Sequence, residues 1–413
     1  MASCGDGVVQ VGVEQCDDGN NGDDDACLIS CKAAKCGDGT AAKADVWRAQ
    51  ILDPDDAPEI VDLTVQVDTQ GLAAGLWVYK VAALRAATHA HDPGGVSLPT
   101  DPVTVRVPNV GIQLKVTLAW TAVPGAVGYV VYRSDKANAS PGTEQVLATL
   151  GAGATSFEDS GSPTQANTAA RQLGDLGNWQ AVASLDAARE GLSMAAARDP
   201  SDAKVWYLYA ALGKGTAGTV LTNVAYLTVT LDSAGLPAES NTWKATTAKP
   251  SNARWLASAM VVDKTVTTRL SSTADTRIYL GTGATAAGTG GVNAIDAALV
   301  KAGGDIASWS SLGNAVTNDR WGCASFAAAN QLFALGGASG AATTGGVSGQ
   351  LCGPGGSGAP CTPAPGVKNF NSGIGLQTAR YLMGVAVESG RIWVVGGVDT
   401  VGAALKGVES TVR

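Results

Sequence analysis

Arg391-Ile392-Trp393-Val394-Val395-Gly396-Gly397 and its counterpart Gln331-Leu332-Phe333-Ala334-Leu335-Gly336-Gly337 decide how the second half of this chain is read. Each is a short apolar run, rich in β-branched and aromatic residues, free of proline and closed by glycines that permit a tight turn, which is the signature of a strand. Working outward, the same pattern recurs in Arg277-Ile278-Tyr279-Leu280-Gly281 and in Val205-Trp206-Tyr207-Leu208-Tyr209, which runs on to Gly213. An aromatic residue and an arginine precede each run: Trp179 and Arg189, Trp243 and Arg254, Trp309 and Arg320, Phe370 and Arg380. A unit of this length, seen four times, predicts a stack of small β-sheets.

This pattern resembles the kelch repeat, whose units build β-propellers, and the resemblance covers about residues 172 to 413. It implies that the eight repeat residues, Trp179, Arg189, Trp243, Arg254, Trp309, Arg320, Phe370 and Arg380, do a repeated structural job. The arginines would bridge neighbouring blades through their guanidinium groups to backbone carbonyls, and the aromatic residues would pack between blades. Trp255, Trp321 and Tyr381 follow three of the arginines and must point to the other side of their strands. Four units are fewer than propellers usually have. A compact ring, blades hidden in the connections and a truncated chain all stay open, with residues 176–179 able to supply an outer strand to the last unit.

Residues 44–162 have a different texture. Gly75-Leu76-Trp77-Val78-Tyr79-Lys80-Val81, Pro102 to Pro108, Val116-Thr117-Leu118-Ala119-Trp120 and Gly128-Tyr129-Val130-Val131-Tyr132-Arg133 alternate apolar and polar residues between turn signals. Regular short strands of this kind predict a β-sandwich. The stretch from Val116 through Val123-Pro124-Gly125 to Tyr132-Arg133 looks like two strands of a fibronectin type III domain, in circularly permuted order. Residues 161–172, polar and proline-containing, read as the linker that follows.

Five of the eight cysteines, Cys4, Cys16, Cys27, Cys31 and Cys36, crowd the first 43 residues, where core-forming residues are scarce. Such a segment needs staples or ions to fold. Its Cys16-Asp17-Asp18-Gly19-Asn20 core and cysteine spacing resemble the myxobacterial-type cysteine-rich disulfide repeat of secreted bacterial surface proteins. Zinc is the competing reading, against which stand the missing histidine and the lack of paired Cys-x-x-Cys arms. Cys323, Cys352 and Cys361 complete the set of disulfide candidates. The odd number on each side leaves a bridge between modules or a leftover thiol in each. Asp17, Asp18, Asn20, Asp23, Asp24 and Asp25 form an oxygen-rich loop suited to a structural calcium ion, with a solvated acidic loop as the alternative.

Composition excludes several classes of function. Charged residues are 15% of the 413-residue chain and the net charge is −8, so no basic patch supports nucleic-acid binding. No apolar run is long enough for a transmembrane segment. No signal peptide opens the sequence, so the disulfide reading implies that the chain as given lacks its native beginning. The two histidines, His89 and His91, lie outside the repeats, which leaves neither a copper radical centre nor a Ser-His-Asp triad there. No sialidase-type Ser-x-Asp-x-Gly-x-x-Trp box occurs.

The expectation is therefore an all-β chain: a disulfide-rich module (1–43), a sandwich (44–162) and a kelch-like propeller with four visible repeats (163–413). It would be extracellular or on the bacterial cell surface. It would act without catalysis or cofactor in adhesion or surface assembly, meeting an extracellular protein or glycan, or copies of itself. A filament or sheath subunit is one alternative. A carbohydrate-active enzyme using carboxylates such as Asp186, Asp305 or Asp319 is another, although no defined spacing pairs them.

Overall fold

The computed structural model describes residues 46–90, 92–215, 218–233, 236–263, 275–285, 290–314, 319–328, 331–339, 349–352, 367–369, 376–388 and 391–412. The candidate calcium loop, Cys4, Cys16, Cys27, Cys31, Cys36, Cys361, His91 and Phe370 lie outside them. The described chain is all-β, built from antiparallel sheets, with one 3-10 turn at Pro54–Asp56. It divides into two compact units, residues 47–181 on the one hand and, among the described residues, Val46 with residues 182–413 on the other, called the 182–413 unit below. No helix among the described residues is long and apolar enough to cross a membrane.

The 47–181 unit has a three-stranded sheet of Ile60–Asp68, Gln113–Trp120 and Ser156–Asp159. Its four-stranded sheet runs Val103–Val107, Gly75–Arg85, Ala126–Ser134, Glu144–Gly151 in spatial order. Strand alternation does the sorting: Leu114, Val116, Leu118 and Trp120 all turn inward. They meet Trp77, Tyr79, Val81, Val105, Tyr129 and Val131 from the facing sheet in one core. Inside that core the Tyr79 hydroxyl (2.7 Å) and Arg133 Nη1 (2.6 Å) both donate to Asp159 Oδ2. The Arg133 guanidinium lies 4.8 Å over the Trp77 ring and donates to the Ser162 carbonyl at 2.6 Å. Burial, and then the Asp159 charge, push the Tyr79 phenol far above its ordinary value, so it serves as a permanent donor.

Residues 161–172 do not run free as a linker. Gln165 N donates to Val146 O at 2.7 Å, Thr168 N to Gln145 Oε1 at 2.7 Å and Ala170 N to Glu144 O at 3.2 Å. Their polar groups find partners along the edge strand Glu144–Gly151, so polarity here marks an edge rather than a loose tether.

The 182–413 unit is four successive meanders, each contiguous in sequence. The first sheet comprises Ser193–Arg198, Val205–Ala211, Val224–Leu231 and Pro237–Glu239, with Lys244–Ala245 also on the third strand. The second comprises Ser258–Val262, Arg277–Gly281, Ala294–Leu299 and Trp309–Asn314. Ala324–Ala328, Gln331–Leu335, Gly349–Cys352 and Val367–Asn369 make the third. Gly384–Glu388, Arg391–Val395 and Val408–Val412 make the fourth.

The sheets pack face to face, and a middle strand is apolar on both sides for that reason. Ile278 and Leu280 join Tyr207, Tyr209 and Tyr226 of the first sheet, whereas Tyr279 joins Leu332 of the third. Phe326, Phe333 and Leu335 then meet Met383, Ile392 and Val394. The fourth sheet has an open outer face, where Val395 is 48% and Val408 61% exposed.

Residues 175–177 bond to the start of the 47–181 unit. Gly177 N donates to Gln50 O at 2.8 Å and Leu52 N to Asp175 O at 3.0 Å, so this backbone is committed within the 47–181 unit. The strand that follows, Gln180–Val182, pairs with Val46–Arg48 in a two-stranded sheet.

One loop clips the first sheet to the second. Tyr209 donates its hydroxyl to Gly304 O at 2.7 Å, and Tyr207 bonds both Asp199 and Gly303 N. Burial works to raise the Asp199 carboxyl, but hydrogen bonds from Ser201, Tyr207 and Asp202 outweigh it and hold it well below the ordinary range. Gly304 has φ +82°, and a Cβ there would stand 2.6 Å from the Tyr207 ring and 2.7 Å from Tyr226. Gly304→Val is therefore expected to cost about 3 kcal/mol, from overpacking and left-handed backbone together. Thermal melting of the 182–413 unit measures it, and an unchanged melting temperature would contradict this account.

Candidate interaction face

The arginines organise one side of the 182–413 unit. Arg189, Arg254, Arg320 and Arg380 are all buried. Arg320 Nη1 donates to Gly336 O at 2.9 Å, and Arg380 Nη1 donates to Gly396 O at 2.9 Å and Gly407 O at 3.1 Å. Arg254 Nη1 reaches Thr282 O at 3.3 Å and Ala294 O at 2.9 Å, while its other nitrogen pairs with Asp296. Arg189 pairs with Asp186 at 2.8 Å and reaches Asn223 O at 3.5 Å. Each of these bonds lies within the repeat that the arginine opens, and those of Arg254, Arg320 and Arg380 reach the turn after the second strand.

Backbone bonds join one repeat to the next. Gly213 N donates to Arg254 O (3.0 Å), Gly283 N to Arg320 O (2.7 Å) and Gly337 N to Arg380 O (3.0 Å). A second set of bonds links the residues two after each arginine: Leu256 N to Gly191 O (2.8 Å), Gly322 N to Leu256 O (3.1 Å) and Leu382 N to Gly322 O (2.8 Å). These four residues share left-handed backbone, with φ of 59°, 50°, 63° and 54° for Gly191, Leu256, Gly322 and Leu382. Glycine takes this conformation without strain and leucine does not, so at Leu256 and Leu382 the junction, not the local sequence, sets the conformation.

Between each arginine and its left-handed neighbour stands Glu190, Trp255, Trp321 or Tyr381, of which the first three are half-buried and Tyr381 is buried. Reciprocal bonds lock the last three to the hairpins that follow, at Ala284, Ala338 and Val398. Lys214 bridges the first two, 2.5 Å from Glu190 Oε1 and 4.0 Å from the Trp255 ring centroid. Trp321 and Tyr381 meet edge to face, with centroids 5.2 Å apart. The face thus offers half-buried indole planes beside one ion pair. That combination suits stacking and directional hydrogen bonding.

The remaining sequence-predicted residues are dispersed. Trp243 Nε1 donates to Ala183 O at 2.7 Å and Trp309 Nε1 to Ala248 O at 3.2 Å, whereas Trp179 is 60% exposed. Cys323 is a free thiol beside Gly336 O (3.6 Å), and burial pushes its pKa up to about 11, so it is not a thiolate at neutral pH. Cys352 ends a strand of the third sheet. Asp305 is taken up by Thr247 and Asp319 is exposed, so Asp186, Asp305 and Asp319 are not brought together. His89 Nδ1 accepts from Asp92 N at 3.1 Å beside a small cleft lined by Asp56, Arg85 and Val123 to Ala126.

Sequence reasoning passed over Lys214, Glu190 and Asp296. Only Asp296 carried a signal, as the lone charge in Ala294-Ile295-Asp296-Ala297-Ala298-Leu299.

No protein-family model matches the chain, and no curated protein matches it. Among solved structures it is similar to that of YjhT, with a TM-score of 0.40 and 11% identity over 72% of this chain and 94% of that one.

Proposed function

We propose that this is a secreted or cell-surface protein that acts without catalysis in adhesion or surface assembly, its partner an extracellular protein or glycan. In this reading residues 163–413 form a kelch-like propeller, residues 44–162 a permuted fibronectin type III-like sandwich and residues 1–43 a disulfide-stapled module with a candidate calcium loop. The observation that supports it is the half-buried row Glu190, Lys214, Trp255 and Trp321, carried by the backbone bonds between repeats and backed by the buried Tyr381. The most strongly shifted groups, Tyr79, Tyr207, Tyr209 and Asp199, serve internal clips instead.

An array of printed glycans and purified extracellular proteins, probed with the intact chain, tests the proposal. Binding should fall at least about tenfold in Trp321→Ala and in Lys214→Ala, a loss of about 1.4 kcal/mol or more. Turnover of a glycan, abolished by changing Asp186 or Asp305, would replace this reading with an enzymatic one.

A further inference from the structure

Among the described residues, the first three of the four meander sheets have four strands or more, and the fourth has three. Its last strand, Val408–Val412, pairs with Arg391–Val395 along one edge and with no other described strand. Gly396 N donates to Gly407 O at 3.0 Å, and alternation from that bond turns the N–H and C=O groups of Val408, Ser410 and Val412 toward the open edge. Such a row is a template for another strand.

The chain contains a segment of matching character. The last strands of the first two sheets, Lys244–Ala245 and Trp309–Asn314, begin in Thr242-Trp243-Lys244-Ala245 and Ser308-Trp309-Ser310-Ser311, and Asn178-Trp179-Gln180-Ala181 repeats their polar-aromatic pattern. Trp243 and Trp309 donate their indole N–H groups to backbone carbonyls, yet Trp179 is 60% exposed. Strand Gln180–Val182 uses one edge to pair with Val46–Arg48, and its other edge meets no described strand. Asn178 N is bonded to Asp92 Oδ1 at 2.7 Å, which anchors the start of this segment in the 47–181 unit.

We infer that the 178–182 edge of one copy adds antiparallel to Val408–Val412 of a second copy, completing the fourth sheet and covering Trp179. Each copy carries one donor edge and one acceptor edge, so the contact is heterologous and joins copies head to tail. The inference does not rest on the proposed binding face, and binding can survive its failure.

The intact chain should show concentration-dependent assembly by light scattering coupled to size-exclusion chromatography. Trp179→Ala removes an exposed side chain, and Ser410→Pro removes an N–H that no bond within the sheet uses, so both should fold. Each is expected to move the assembly midpoint at least about tenfold higher in concentration, with the melting temperature kept. Val61→Ala, on an exposed edge of the other unit, should leave assembly unchanged. A chain that stays monomeric, assembly indifferent to Trp179→Ala and Ser410→Pro, or equal loss in Val61→Ala would each overturn the inference.

Discussion

Asp296→Ala should cost the 182–413 unit about 3–5 kcal/mol, because it strands the Arg254 guanidinium without its partner. Both side chains are at 0% exposure, and burial raises the Asp296 carboxyl while it lowers Arg254. The two shifts agree that desolvation costs more than the pair returns. Asp296 Oδ1 also has no hydrogen-bond partner, which adds to that cost. The double variant Arg254→Met with Asp296→Leu should therefore recover most of the loss. Urea unfolding followed by fluorescence reads both, and a single variant within about 1 kcal/mol of the parent would refute the assignment.

Asp159→Ala is expected to have an effect of similar size on the 47–181 unit. It removes the acceptor for Arg133 and Tyr79 together and releases Gly161 N, bonded to Asp159 Oδ1 at 2.8 Å. Arg133 is 3% exposed along its side chain and cannot reach water without opening the sheet edge. The loss should again be about 3–5 kcal/mol, confined to the transition reported by Trp77 and Trp120. Asp159→Asn keeps an acceptor and should lose less. Equal losses in the two variants would mean that charge, rather than acceptor geometry, dominates here.

Strand identity was legible because burial on one face or two leaves a direct trace. The alternation in Gln113–Trp120 and the continuous apolar run of Arg277–Gly281 are the two forms of that trace. Glycine-marked turns such as Gly336-Gly337 were legible for the same reason. Their equivalents Leu212 and Thr282 were not, although they adopt φ of 64° and 53°. There the arginine cap and the neighbouring repeat impose the conformation, and neither is local in sequence.

The interaction face was half legible. Trp255, Trp321 and Tyr381 stood out by position after the arginines, but Glu190 replaces the aromatic residue in the first repeat and acquires its role only through Lys214. The arginines recur in the sequence and all four are buried, with carbonyl acceptors 16 to 40 residues further on. Polar residues 161–172 misled for a related reason, since their backbone partners come from a strand formed earlier in the chain.

The backbone belt joins each repeat only to its immediate neighbours, through two hydrogen bonds at every junction. Unfolding energetics should then resemble a row of coupled units, in which an interior sheet must break two interfaces to leave and the fourth, open on its outer face, must break one. Fraying is expected to start there and travel inward. Amide protons of Arg391–Val395 should accordingly exchange before those of Arg277–Gly281, and proteases should find their first cut in the fourth sheet.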